Sequence, residues 1–310
     1  MSNADGHILI DTSVDSNGLK TGMQGLGSIA QTGIKVVTAA LAAGTAAVTA
    51  FVAESVKIGS SFEAAMSEVS AISGATGEDL AALTEKAKEM GAVTKFSASE
   101  SAEALKYMAM AGWKTEDMLG GLSGIMDLAA ASGEQLGTVS DIVTDALTAF
   151  GLKASDSGHF ADVLATASSN ANTNVGLMGA TFKYVGPLAG AMGYSIEDLA
   201  TGIGLMANAG IKGEMAGTQL RAMITNMVKP TDAMAIAMDK LGLSITDSAG
   251  NVKPFNELML DLRDSFSGLS DAEKTQYAAT IAGKEAMSGM LAIVNASDED
   301  FAKLTDAINN

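Results

Sequence analysis

Along most of this chain apolar residues recur at three- and four-residue spacing, and Gly, Asn or Pro cuts the pattern every 12 to 18 residues. That rhythm predicts many short helices. The clearest start lies at Ser97, whose hydroxyl can cap a helix while Glu100, three residues on, reaches back to the cap amide. Ala102, Leu105 and Ala109 then form one buried stripe, and Gly112 supplies the left-handed stop. Trp113 follows at once, and Thr115-Glu116-Asp117 places a cap and two negative charges at the positive end of the next helix. By the same reasoning helices are expected over 78–90, 98–111, 115–131, 134–150, 155–170, 175–192, 196–209, 214–228 and 231–241, resuming at Asn256, Asp271, Lys284 and Asp298. Lys229-Pro230 is a break, because proline lacks a donor and restricts the residue before it.

Part of this pattern is written twice. Gly193-Tyr194-Ser195-Ile196-Glu197-Asp198-Leu199 matches Gly112 to Met118 at an offset of 81, while Lys106-Tyr107 returns as Lys183-Tyr184 at an offset of 77. The difference is about one helical turn, so the second copy carries an extra turn in its first helix, near Gly186-Pro187. A shorter echo stands at Gly74 to Leu80. A duplicated helical hairpin is therefore expected, with the polar run Asn170 to Asn174 as the seam.

Two stretches break the helical period. His7 to Val14 is apolar and β-branched enough for a short strand closed by Asp15-Ser16-Asn17-Gly18, and 243–255 reads as a small hairpin on an Asp- and Gly-rich turn. A lone strand needs a partner, from the later hairpin, another subunit or another protein. Between them, one long helix is expected from about Ser28 to Ser73. The expected organisation is a strand and long small-residue helix over 1–73, a duplicated helical core over 74–241, and a hairpin with closing helices over 242–310. The fold class is all-α, with a minor β component.

Thr94-Lys95-Phe96-Ser97-Ala98-Ser99-Glu100 running into Ala109-Met110-Ala111-Gly112-Trp113, with the Gly-Tyr-Ser-Ile-Glu-Asp-Leu copy behind it, resembles the core of tail tape measure proteins of long-tailed bacteriophages and phage-derived particles. The likeness covers roughly residues 60 to 300. It implies a structural protein of the tail lumen, made in the host cytoplasm, that contributes to tail length and leaves ahead of the DNA. Its implied partners are copies of itself along the tube axis, the tail tube protein and the tail-tip or baseplate initiator proteins, with transient host-membrane contact. A ruler needs extended helix, roughly 1.5 Å per residue, whereas this chain is punctuated and lacks sustained heptads. It ends at Asn310 without a capping glycine, so it is expected to be the N-terminal and core portion of a longer protein.

Composition sharpens the picture. The chain is 47% hydrophobic but 5% aromatic, with 34 Gly and 19 Met, so its core is built from small and flexible side chains. Gly120/Gly124, Gly186/Gly190 and Gly213/Gly217 have the spacing that lets helices approach closely. A net charge of −17 repels a phosphate backbone and argues against nucleic-acid binding. The absence of Cys excludes thiolate chemistry and sulfur metal sites. No basic start followed by an apolar block marks a cleavable signal. Between Lys35 and Glu54 lie 18 uncharged residues, among them Val36, Val37, Leu41, Val48, Phe51 and Val52. They read as a self-association helix. A membrane-active protein inserting 36–53 is the alternative.

Catalytic and cofactor motifs are set aside. Gly25-Leu26-Gly27 and the residues after it match the dinucleotide fingerprint but lack the strand directly before it and the βαβ context. His7 and His159, the only histidines, are too far apart in the chain to form a helical metal pair, and the Glu-Asp pairs at 78/79, 116/117 and 197/198 sit where the helix dipole explains them. Asn295-Ala296-Ser297 is a chance sequon. No enzyme, metal or cofactor is expected. The assembly candidates are Ser97, Glu100, Gly112, Trp113, Glu116, Asp117, Gly193, Tyr194, Glu197 and Asp198. Trp113 and Tyr194 have two readings, an interface anchor or the packing of a hairpin corner.

Overall fold

A computed structural model of the chain describes residues 46–309, with side chains from Lys57 onward. Among the described residues there are fourteen α-helices and no strand. The predominantly all-α fold is as expected. The helices are α1 (Ala46–Ser73), α2 (Gly77–Val93), α3 (Ala98–Met110), α4 (Thr115–Ser132), α5 (Leu136–Phe150), α6 (Ser157–Asn170), α7 (Val175–Ala191), α8 (Ile196–Asn208), α9 (Gly213–Val228), α10 (Asp232–Leu241), α11 (Phe255–Ser267), α12 (Asp271–Ile281), α13 (Met287–Val294) and α14 (Asp298–Asn309). A 3₁₀ turn, Ala154–Asp156, leads into α6.

The helices up to α9 form two rows. Odd-numbered helices pack in succession, α1 on α3, α3 on α5, α5 on α7 and α7 on α9, while α2, α4, α6 and α8 pack in succession beside them. The chain is thus a stack of helical hairpins, the arrangement of solenoids built from helix pairs. Its register is visible in the caps. The odd helices are capped at Ser97, Gln135, Asn174 and Lys212, at intervals of 38, 39 and 38 residues. Four residues after each cap lie Ser101, Val139, Met178 and Ala216, and eight after lie Leu105, Val143, Phe182 and Leu220, all buried. The 77-residue offset between Lys106 and Lys183 therefore spans two units of the stack.

α7 has 17 residues where α3 has 13, which is the extra turn between the 77 and 81 offsets. Pro187 lies inside α7 and does not end it. Its ring and the neighbouring Lys183 are both exposed, so the carbonyl that loses a donor faces water.

Consecutive units meet at small residues. A Cβ built on Gly217 of α9 would lie 2.7 Å from the Thr181 carbonyl oxygen on α7, and one on Gly124 of α4 would lie 2.5 Å from the Gly158 amide nitrogen on α6. A Cβ on Gly190 of α7 would collide with the Ala149 carbonyl of α5. At these depths hydroxyls reach backbone across the seam. Ser157 donates to the Gly121 carbonyl at 3.0 Å and Thr181 to the Gly213 carbonyl at 2.9 Å, both buried.

Beyond α9 the chain closes the stack. α13 packs on α8, α9, α11 and α12, and α14 packs on α6 and α8. α8 is enclosed as a result, with every residue from Leu199 to Ala207 buried. Arg263 of α11 ties this closure together, donating to the carbonyls of Ile293 (3.1 Å) and Ala296 (2.6 Å) and to Asp298 (2.6 Å) while lying over the Phe301 ring.

Two expectations need correction or fall outside the structure. The hairpin at 243–255 reduces to a single antiparallel bridge, Thr246 with Val252. The Asp247 carboxylate accepts from the Ala249 and Asn251 amides, so a side chain holds the turn and leaves too few residues for a ladder. The strand expected at 7–14 and the start of the long helix lie outside the described residues, as do Val36, Val37 and Leu41; Val48, Phe51 and Val52 fall within α1, before its side chains are described.

Replacing Gly217 with Ala should lower stability by about 1–3 kcal/mol, because the neighbouring backbone cannot yield to the methyl. Gly158, whose Cβ would meet nothing within 4 Å, should tolerate Ala. Thermal unfolding of the two variants beside the parent chain tests the difference.

Candidate functional site: the glycine corners

Where an odd helix turns into the next even one, a glycine with positive φ ends the helix: Gly112 at 88°, Gly151 at 66° and Gly193 at 75°. The residue after each donates its amide back five positions in the motif typical of such ends, Trp113 to Met108, Leu152 to Leu147 and Tyr194 to Ala189. Trp113, Leu152 and Tyr194 are therefore equivalent, and an apolar residue there covers the last turn. This is the place where the structure puts most of the sequence-derived candidates.

At the opposite end of α3 from its glycine corner, the box at Ser97 is formed. Its amide donates to Glu100 Oε2 at 2.7 Å and its hydroxyl accepts from the Glu100 amide at 3.2 Å. The Trp113 ring, half-buried, lies against Gly121 so closely that a Cβ there would be 2.9 Å from Cη2. Asp117 accepts from the Lys114 amide at 3.3 Å, making Lys114 rather than Thr115 the cap. Glu116 is exposed and, with Asp79, lines a shallow opening of about 410 Å³ between neighbouring corners.

The second copy diverges in its partners. Tyr194 is only 4% exposed, and its ring lies 5.1 Å from that of Phe255. Gly202, the counterpart of Gly121, takes Phe255 instead of the corner aromatic, since a Cβ there would be 2.8 Å from the Phe255 ring. Ser195 caps α8 by accepting from the Asp198 amide at 3.1 Å. Asp198 in turn accepts from the Asn256 amide at 3.1 Å, so a carboxylate of α8 caps α11. Glu197 pairs with His159 Nε2 of α6 at 2.5 Å. Each acid thus meets a backbone end or a neighbouring helix. Sequence reasoning missed Phe255, Asn256 and the His159–Glu197 contact; only the 38-residue separation of the last pair, one unit of the stack, hinted at adjacency.

The chemistry available here is that of packing. Burial pushes the Tyr194 phenol up to about 12, since its hydroxyl has no partner among the described residues. Among the described residues no group of His, Asp and Glu is placed to hold a metal ion, and no helix is long and apolar enough to cross a membrane.

The profile of the family described as phage-related minor tail proteins matches residues 84–283, which cover the stack from α2 into α12. A tape measure protein of Pneumococcus phage Dp-1 is 41% identical over 247 residues, which cover 80% of this chain and 22% of that protein. A probable tape measure protein of Escherichia phage P2 is 29% identical over 246 residues, 78% of this chain and 30% of that protein. The chain therefore spans less than a third of either relative's length. No solved structure matches it significantly.

Two outcomes are expected at the corners. Trp113→Ala should lower stability by about 2 kcal/mol, less than a fully enclosed ring would, read by denaturant unfolding. For Tyr194 the neutral form is favoured in the fold, so its contribution is complete below pH 10 and disappears as pH rises from 10 towards about 12. Tyr194→Phe should flatten that alkaline loss and hold or raise stability near pH 7, measured by thermal unfolding against pH.

Proposed function

Because this chain belongs to the family of phage-related minor tail proteins, we propose that it is a structural and assembly protein of a phage or phage-like tail that occupies the tube lumen. In that place it contributes to tail length and departs ahead of the DNA. The observation that carries this reading is the 41% identity to a tape measure protein across 80% of the chain. Copies of itself, the tube protein and the initiator complex are its proposed partners. The net charge of −17 fits a lumen through which DNA must pass, since the polyanion has nothing to adhere to.

The compactness of the stack supports a limited share in that work. Drawn out as continuous helix, its 264 described residues would reach roughly 400 Å. Stacked as hairpins, five helices of one row at 8–10 Å spacing occupy roughly 40 Å. The stack therefore serves as an assembly module rather than as extended length.

Excision of one unit, residues 136–174, from the full-length gene of a producing phage separates the possibilities under the electron microscope. The expected result is loss of tails or of their uniform length. Tails of normal number shortened uniformly by roughly 60 Å would assign the measuring to these residues, and tails unchanged in number and length would overturn the proposed role.

A further inference from the structure

The Lys-Tyr dipeptide written at 106/107 and again at 183/184 lies on the outer face of the odd row. Every helix packed substantially on α3, α5 or α7 belongs to one of the two rows, so the side of the odd row turned away from the even row has no covering helix among the described residues. Along this side one charge per unit alternates in sign: Glu68 of α1, Lys106 of α3, Asp145 of α5 and Lys183 of α7, at intervals of 38, 39 and 38 residues. Glu68, Asp145 and Lys183 are exposed and Lys106 is half-buried. Neighbouring rungs interact. Lys106 Nζ pairs with Glu68 at 3.1 Å. Between α5 and α7, partial burial and the nearby Asp145 push the Asp141 carboxyl up while Lys183 pulls it down, which sets these three charges in one patch. The tyrosines fill the seams between rungs. A Cβ on Gly137 of α5 would lie 2.7 Å from the Tyr107 ring of α3, and one on Gly217 of α9 would lie 2.7 Å from Tyr184 of α7.

We propose that this face pairs two copies of the chain about a two-fold axis that passes between α3 and α5, perpendicular to the row. The pairing rests on the reading that this protein meets copies of itself, and it gives that contact a surface. An alternating ladder read backwards is its own complement. In this arrangement Lys106 faces the partner's Asp145 and Lys183 faces the partner's Glu68, and each pair occurs twice. A two-fold axis along the row would set like charges against each other, and the one-unit shift that avoids this builds an open filament. Size agrees with a stable contact. Four helices at 8–10 Å spacing and about 20 Å long present roughly 700 Å², close to the roughly 800 Å² per partner of a standard interface. One helical turn beyond Glu68 and Lys106 stand Ile72 and Met110, 44% and 64% exposed, which supply apolar area beside the rungs. At about 0.15 M salt the Debye length of about 8 Å screens the net charge of −17 between whole molecules, while rungs in contact are screened less.

Light scattering of the full chain at about 0.15 M salt should give twice its mass of 31.3 kDa. Lys106→Glu and Asp145→Lys should each raise the dissociation constant at least about tenfold, because each sets like-charged rungs face to face twice. Mixed in equal amounts, the two variants should associate within about threefold of the parent constant, since every rung across the mixed pair is again complementary. A change confined to one chain does not reverse on mixing, so recovery reports the contact between copies. If either variant misfolds, Glu68→Lys with Lys183→Glu repeats the test on the outer rungs. A parent mass of one copy or of any number other than two, variants that pair as the parent does, or a mixture that stays monomeric would overturn the pairing. Each of these results leaves the tail role standing, because tail length in the phage reads that role independently.

Discussion

Backbone meets backbone at the seams of this stack, and the rest of the structure follows from that closeness. With Gly124, Gly190 and Gly217 lacking a Cβ, consecutive units come near enough for Ser157 and Thr181 to donate into a neighbour's carbonyl. Glycine within a helix costs roughly 0.5–1 kcal/mol relative to Ala. What offsets it is the dispersion contact and buried hydrogen bonding that only a short interaxial distance permits. A composition poor in aromatics is the outcome of the same choice. Some large rings enter where a small residue has made a notch, as Trp113 does at Gly121 and Phe255 at Gly202.

Stacked units leave open ends and corners, and the chain's charge is placed to manage them. Acids at the starts of even helices satisfy backbone amides, their own or, for Asp198, those of a helix in the closing group. α11, α13 and α14 then enclose α8, with Arg263 joining three of their backbone and side-chain ends. What such a surface offers a partner is shape and repetition.

Much of this was legible in the sequence, for identifiable reasons. Helix boundaries came through because their signals are local: Ser97 with Glu100, Gly112, Gly193 and Lys229-Pro230 act within one turn of where they stand. The repeat was seen at twice its length. Its 38-residue unit is obscured because the middle corner, Gly151-Leu152-Lys153-Ala154-Ser155-Asp156, replaces the Glu-Asp signature with a 3₁₀ turn. Partners across units were not legible, since nothing local to Tyr194 announces Phe255. That α7 runs through Pro187 without ending depends on which of its faces meets water, a tertiary fact. The hairpin at 243–255 was overdrawn because Asp247 satisfies the turn through its side chain.

Thermal unfolding of two matched pairs of variants tests the backbone contact most directly. Gly179 would strike the Ile142 side chain and Gly190 the Ala149 carbonyl. The stack described above predicts that Ile142→Val restores part of the stability lost in Gly179→Ala, while Ala149→Gly restores none of that lost in Gly190→Ala. Recovery in both pairs, or no loss on placing Ala at position 190, would contradict it.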